Sequence, residues 1–263
     1  MSKNNIFAMA LEALTELAPE INAARTDVSP VLPTLADVLA DFSSLPREAL
    51  FLGLAEDGLP VLLNLHDPVP GPLLVCADAG KTALLQIMAK GISETHNAED
   101  VQFGVISARP EEWDGFDATE HCVGIFPIED ASAAGFLVSL AEWAHENKSR
   151  QAIVLLMDDL ARVDDLEPEA KDALRWLLLR GPSRRVWPIV TLNPSDSKAL
   201  ADWLELFRTR IFGAMKNAWS MESVLGAARE EVEALIAGSQ FILREGRNWL
   251  RFWIPRLNEG ESE

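Results

Sequence analysis

Short apolar runs alternate with amphipathic stretches through most of the chain. The runs that have the length of buried strands cover residues 101–107, 122–126, 152–157, 186–192 and 209–212. Between them, the spacing of apolar residues predicts helices over 83–92, 131–147, 166–179 and 197–207. Strands that alternate with helices form βαβ units. The pattern therefore predicts an α/β fold whose mostly parallel sheet has helices on both faces.

Hairpins and helical segments are predicted at the two ends of this pattern. The runs 49–54 and 59–65 are joined by a turn whose Asp-Gly pair favours a hairpin, and the runs 240–243 and 249–254 predict a terminal β-hairpin. Residues 5–18 and 34–42 have helical spacing around a Pro-containing linker. We predict an N-terminal helical arm and linker in 1–45, one domain in 46–256 and an acidic tail in 257–263.

Composition is typical of a soluble protein with a large core. The chain has 263 residues, of which 48% are hydrophobic, and no apolar run reaches the 18 or so residues of a membrane span. Glu12, Glu16 and Glu20 lie where a signal peptide would be apolar, so we expect a cytoplasmic location and no membrane span. Cys76 and Cys122 lie in apolar runs, which favours buried reduced thiols over a disulfide or metal site.

The charge is strongly negative and unevenly distributed. A net charge of −18 opposes broad binding to nucleic acid, because the phosphates would be repelled. In residues 171–256, however, Lys and Arg outnumber Asp and Glu. A local basic face for DNA therefore remains possible in an assembled form.

The apolar run 73–76 leads through a tight turn into Gly80-Lys81-Thr82 and then a helix. In P-loops with this order, backbone N–H groups surround the phosphates, the lysine reaches the outer phosphates and the threonine binds Mg²⁺. The predicted nucleotide contacts are Ala79, Gly80, Lys81 and Thr82, with Thr82 also a metal ligand. The full pattern G-x-x-x-x-G-K-[ST] would require glycine in place of Val75, so an ordinary strand-to-helix turn remains an alternative.

A pair of acids follows another apolar run, 152–157. Asp158 and Asp159 lie at the carboxyl end of that predicted strand, where open α/β sheets bind ligands. In P-loop ATPases the first acid holds Mg²⁺ and the second orients the attacking water. Asp158 is thus a candidate metal ligand and Asp159 a candidate catalytic residue. The alternative is that Asp158 caps the next helix while Asp159 is a solvated loop residue.

Several short segments, taken in order, resemble the motor domain of FtsK/HerA-type DNA translocases over about residues 52–255. Gly53 with residues 57–61 resembles the hairpin before the P-loop, and residues 72–75 resemble the strand that leads into it. Residues 178–181 and 186–194 resemble the family's helix, loop and sensor strand. Residues 207–211 are similar to its "K-T-R-I" strand, and residues 238–243 are similar to its "G-x-G-x-F" end.

The resemblance implies a RecA-like P-loop NTPase that binds ATP and Mg²⁺ and works in a homo- or hetero-oligomeric ring for DNA translocation or pumping. It further implies that Lys81 stabilises charge on the phosphates. Arg210 and Arg208 are candidates for a trans-acting arginine, which in ring ATPases completes a neighbour's site; the alternative is that they are ordinary exposed arginines. Arg184 and Arg185 are further candidates for contacts in trans or to DNA.

The sequence departs from the family pattern at three points. The phosphate loop is two residues shorter, with Ala77 in place of the first glycine; Leu192 replaces the polar residue of the sensor strand; and Asp159 is one methylene shorter than the usual glutamate. Asn193 could substitute for the sensor with a shift. Two hypotheses remain open: an ATP-binding motor-type domain with weakened or absent hydrolysis, and a pseudo-ATPase that acts as a structural or regulatory subunit.

Overall fold

The computed structural model describes residues 32–42, 45–46, 48–216, 229–245 and 248–257. The chain divides into two units, Met1–Pro33 and Thr34–Glu263, and nearly all described residues belong to the second. The predicted helix over 5–18 lies outside the described residues, as does all of the predicted tail except Leu257.

The strands described in the second unit form one ten-stranded sheet. They are β1 (Ala49–Ala55), β2 (Pro60–Asn64), β3 (Leu73–Cys76), β4 (Val101–Ser107), β5 (Cys122–Pro127), β6 (Ala152–Asp158), β7 (Val186–Leu192), β8 (Thr209–Gly213), β9 (Gln240–Glu245) and β10 (Asn248–Trp253). Their spatial order is β2-β1-β10-β9-β8-β3-β7-β6-β4-β5. From β8 to β5 the neighbours pair in parallel, whereas β9, β10, β1 and β2 extend the sheet with antiparallel pairs.

Helices cover both faces of the parallel part. The described helices are α1 (Leu35–Asp41), α2 (Lys81–Thr95), α3 (Ala131–Glu146), α4 (Pro168–Arg180), α5 (Ala201–Leu204) and α6 (Arg229–Glu233). In β3, Leu73 and Val75 pack in the same core cluster as α1 and α2, whereas Leu74 and Cys76 pack in the cluster that includes α3 and α4. Alternate residues of one strand thus enter two cores, and the predicted layered α/β architecture is confirmed.

Most predicted elements are confirmed, and one helix is an exception. Both hairpins form, and the five predicted parallel strands lie within one residue of their observed bounds. Over the predicted helix 197–207, only α5 is α-helical. The Ser197 hydroxyl donates to the Pro194 carbonyl at 2.7 Å, which supports a 3₁₀ turn rather than a continuous helix. Leu200, Leu204 and Phe207 are nevertheless buried, so the apolar spacing predicted their burial correctly.

The segment before β1 packs on the sheet unit. Thr34 caps α1 by accepting from the Asp37 N–H, and the Asp37 carboxylate accepts from Thr34 in return. Leu35 and Val38 are buried in the core cluster that contains α2. Among the described residues, none of the helices combines the length and apolarity that crossing a membrane requires.

The two cysteines are free thiols. Cys76 is buried as predicted, and desolvation raises its pKa to about 12. Cys122 is only half-buried, because it begins β5 at the edge of the sheet, and desolvation raises its pKa as well. The predicted reduced thiols are therefore confirmed for both cysteines, and the predicted burial is confirmed for Cys76 alone of the two.

Candidate functional site

The phosphate loop connects β3 to α2 at the carboxyl edge of the parallel strands. Gly80 occupies the N-cap position of α2 with φ 83° and ψ 0°, a left-handed conformation that glycine adopts without steric cost. Gly80 has no side chain that could cap the helix, which leaves its first N–H groups to a ligand. The helix N-terminus therefore favours an anion here.

Lys81 bridges the loop to the end of β7. Its Nζ donates to the Ala77 carbonyl at 2.7 Å and to Asn193 Oδ1 at 2.9 Å. Burial lowers the pKa of Lys81, while the carboxylate of Asp158 opposes that shift. Leu192, at the position where the sensor strand was expected to have a polar residue, is buried. The polar side chain that contacts Lys81 belongs to the next residue, Asn193.

A chain of hydroxyl and carboxylate contacts joins α2, β6 and β7. Asp158 is 4% exposed; its Oδ2 accepts from Thr82 Oγ1 at 2.8 Å and its Oδ1 accepts from Thr191 Oγ1 at 2.8 Å. Hydroxyl and carboxylate oxygens are the ligands that Mg²⁺ prefers, and the ion keeps most of its other positions for water and phosphate. The residues present therefore fit the predicted metal site at Thr82 and Asp158.

Asp159 has a strained backbone and a local partner. Its φ of 94° and ψ of 95° lie in a backbone region that residues other than glycine rarely adopt. Its Oδ1 accepts from the Ala161 N–H at 3.0 Å, and its own N–H donates to Thr191 Oγ1 at 2.8 Å. Asp159 thus caps the 3₁₀ helix Leu160–Asp165, the role that the alternative interpretation gave to Asp158.

The shortened loop is packed closely against the strands and turns around it. The Asp78 N–H donates to the Ala214 carbonyl at 3.1 Å, and the Asp78 carboxylate accepts from the Lys216 N–H at 2.8 Å. Ala77 is fully buried, and its φ is not positive. The N–H of Asp78 is therefore engaged within the chain, which reduces the number of donors for a phosphate.

These residues line a pocket of about 370 Å³. Its lining contains the predicted Ala79, Gly80, Lys81, Thr82, Asp158 and Asp159, together with Asn193, Asp78, Ala83, Arg109 and Glu112. Sequence reasoning missed Arg109 and Glu112. The rule that found Asp158 could have found Arg109, because Arg109 lies two residues beyond the end of β4 at the same edge.

The predicted arginines lie outside that pocket lining. The Arg210 guanidinium donates to the Leu204 carbonyl at 2.8 Å, and burial lowers its pKa. Arg208 and Arg184 are exposed, whereas Arg185 donates to Glu48 Oε1 and to the Leu65 carbonyl, both at 3.1 Å. A trans-acting role for Arg210 concerns a neighbouring subunit and stays a prediction.

Comparisons with solved structures address the fold. The cytoplasmic domain of the Thermomonospora curvata type VII secretion ATPase EccC is similar with a TM-score of 0.70 at 17% identity, over 88% of this chain and 33% of that one. For the cytoplasmic domain of EssC the TM-score is 0.65 at 15% identity, over 88% and 48%. For the pCW3 conjugation coupling protein TcpA, as a monomer with ATPγS, it is 0.61 at 13% identity, over 86% and 70%.

The chain has the fold of a RecA-like P-loop NTPase. No protein-family model matches it, and the search of curated proteins found no match. It spans between a third and a half of the length of the EccC and EssC chains. The expected RecA-like fold is therefore confirmed.

Proposed function

We propose that this P-loop NTPase fold binds ATP with Mg²⁺ in the pocket at the N-terminus of α2. The observation that carries the proposal is that the consecutive residues Lys81 and Thr82 lie beside Asp158, which is 76 residues further along the chain than Thr82. Lys81 Nζ, Thr82 Oγ1 and the Asp158 carboxylate meet at the carboxyl edge of the sheet, with Thr82 and Asp158 2.8 Å apart. Burial of a carboxylate is costly, and an ordinary strand-to-helix turn would not require the buried carboxylate of Asp158 beside it.

Each residue has a distinct role in this proposal. The N–H groups at the start of α2 and the ammonium of Lys81 receive the phosphates, while Thr82 and Asp158 hold the ion. The Mg²⁺ ion, when bound, neutralises part of the phosphate charge. Asn193 keeps Lys81 directed toward the pocket through the 2.9 Å hydrogen bond.

We propose further that the chain serves a motor-type assembly. The similar fold of TcpA, whose structure contains ATPγS, supports nucleotide binding. The similar fold of EccC, a type VII secretion ATPase, supports a role in pumping or translocation. DNA contact and a homo- or hetero-oligomeric ring are part of the proposal. The excess of Lys and Arg in residues 171–256 supports DNA as a partner of the assembled form.

Hydrolysis is weakened or absent in this proposal. Asp159 uses Oδ1 to cap a 3₁₀ helix, the Asp78 N–H bonds to Ala214, and Leu192 is buried where a polar sensor is expected. These losses act on one transition state, where positioned donors and acids make their largest contribution. The same contacts favour the second candidate function, a pseudo-ATPase that binds nucleotide as a structural or regulatory subunit.

Calorimetric titration of Mg-ATP into wild-type protein and Lys81→Ala tests the site. Hydrogen bonds to charged groups contribute about 1.5–3 kcal/mol, so Lys81→Ala should weaken binding by about tenfold or more. Lys90→Ala is the matched control, because Lys90 lies on the same helix, is exposed and pairs with Glu94 in a surface ion pair. Equal ATP affinity in wild-type protein and Lys81→Ala would place the nucleotide elsewhere.

A further inference from the structure

Arg109 lies at the same sheet edge as the acids of the pocket. In the parallel pair β4 and β6, Ser107 is in register with Asp158, so the chain leaves β4 beside the Mg²⁺ ligand. The Arg109 N–H donates to Ser107 Oγ at 3.0 Å, and the Arg109 carbonyl accepts from the Glu112 N–H at 3.1 Å. The backbone of Arg109 is thereby held on both sides.

The turn after Arg109 is anchored to α2. Gln86 on that helix donates through Nε2 to the Glu112 carbonyl at 2.6 Å, and Trp113 is completely buried beneath the turn. By contrast, the Arg109 side chain is 59% exposed and its guanidinium pairs with the Glu112 carboxylate. A fixed backbone with an accessible guanidinium is suited to binding a ligand that enters the pocket.

The pocket is poor in positive charge for a polyphosphate. Its lining contains Lys81 and Arg109 as cations and Asp78, Glu112, Asp158 and Asp159 as acids. The pairing of Arg109 with Glu112 is a partly exposed contact within one turn, and such pairs contribute little. A guanidinium that binds phosphate makes two parallel charge-assisted hydrogen bonds, which are much stronger. Exchange of Glu112 for phosphate is therefore favourable.

We propose that Arg109 binds the terminal phosphate of the ATP molecule held by its own chain. To do so, its guanidinium breaks the ion pair with Glu112. This inference rests on the proposed function, because it assumes ATP in the pocket. In the proposed site Lys81 contacts the outer phosphates, and its Nζ lies beside Asn193 at the end of β7. The strand β4 lies two strands from β7, a separation of roughly 10 Å at the usual strand spacing. An extended arginine side chain after β4 reaches into the space between the two strand ends. ADP lacks the phosphate concerned, so Arg109 discriminates ATP from ADP.

The test compares Mg-ATP and Mg-ADP affinities by calorimetry for wild-type protein, Arg109→Ala and Arg109→Lys. Arg109→Ala should weaken ATP binding about tenfold and ADP binding less than about twofold. Arg109→Lys should recover part of the loss, because the charge remains and the paired hydrogen bonds do not. Arg150→Ala removes an exposed arginine just before the amino end of β6 and should change neither affinity.

The outcomes separate this inference from the proposed function. If wild-type protein binds ATP and Lys81→Ala weakens it, but Arg109→Ala leaves the ATP/ADP ratio unchanged, the role of Arg109 is overturned while the site stands. If wild-type protein binds neither nucleotide, the proposed function itself fails. Glu112→Gln should tighten ATP binding by about two- to fivefold, since it frees Arg109; weaker binding in that variant would overturn the exchange.

Discussion

Replacing Gly80 tests how tightly the phosphate loop is packed. A Cβ at Gly80 would lie 2.5 Å from the carbonyl oxygen of Gly238 and 2.7 Å from its Cα, both of which are backbone atoms that cannot rotate away. Gly80 also has a φ of +83°. Gly80→Ala therefore combines a conformational cost with a steric one.

The two costs can be separated with a matched control. Gly238 has the same φ of +83°, but a Cβ there would meet nothing within 4 Å. Gly238→Ala should lower the free energy of unfolding by about 1–2 kcal/mol, the cost of the left-handed conformation alone. Gly80→Ala should cost about 1–3 kcal/mol more, the usual penalty for overpacking.

Equilibrium unfolding in urea measures both values under one set of conditions. The m-value should be equal in the two variants, since neither changes the surface exposed on unfolding. If Gly80→Ala is no more destabilising than Gly238→Ala, the loop is not packed against the Gly238 turn. The account of a rigid, shortened phosphate loop would then be wrong.

Three further predictions concern activity, partners and pH. The isolated protein should release phosphate from ATP far more slowly than about one per second, and a faster rate that Asp159→Asn abolishes would identify a working ATPase. Duplex DNA should bind poorly to monomeric protein at physiological salt, whereas binding to an assembled form should be salt-sensitive and should weaken in Arg184→Ala; filter binding at several salt concentrations measures both. Because burial lowers the pKa of Lys81 below its ordinary value of 10.5, the ammonium is lost at a lower pH than in an exposed lysine. ATP affinity should therefore begin to decline with rising pH below pH 10.5, and a series of calorimetric titrations would show it. An ATP affinity that stays unchanged up to pH 10.5 would contradict the role of Lys81.

The fold was predictable because burial on two faces is visible in the sequence. All seven residues of β6 are buried, and continuous apolar runs of this kind are typical of parallel strands covered by helices. The helix predicted over 197–207 was wrong in its conformation. Periodicity records which side chains are buried, as at Leu200 and Leu204, but it does not record that Ser197 bonds to a backbone carbonyl.

The site was only partly predictable, for a related reason. The sequence indicated Lys81 and Thr82 through the Gly-Lys-Thr motif between an apolar strand and a helix, and it indicated Asp158 at the carboxyl end of another apolar strand. The hydrogen bond of the Asp78 N–H to Ala214 depends on long-range packing, which no local pattern contains. The left-handed backbone of Asp159 is likewise set by its surroundings, since an aspartate in isolation avoids that conformation.

A structure determined with Mg²⁺ and a non-hydrolysable ATP analogue tests the central claim most directly. The account predicts that the phosphates lie against the N–H groups at the start of α2. It also predicts that Lys81 contacts an outer phosphate, with the metal ion beside Thr82 and Asp158. An analogue bound at another surface, or a phosphate loop left empty at saturating nucleotide, would contradict the account.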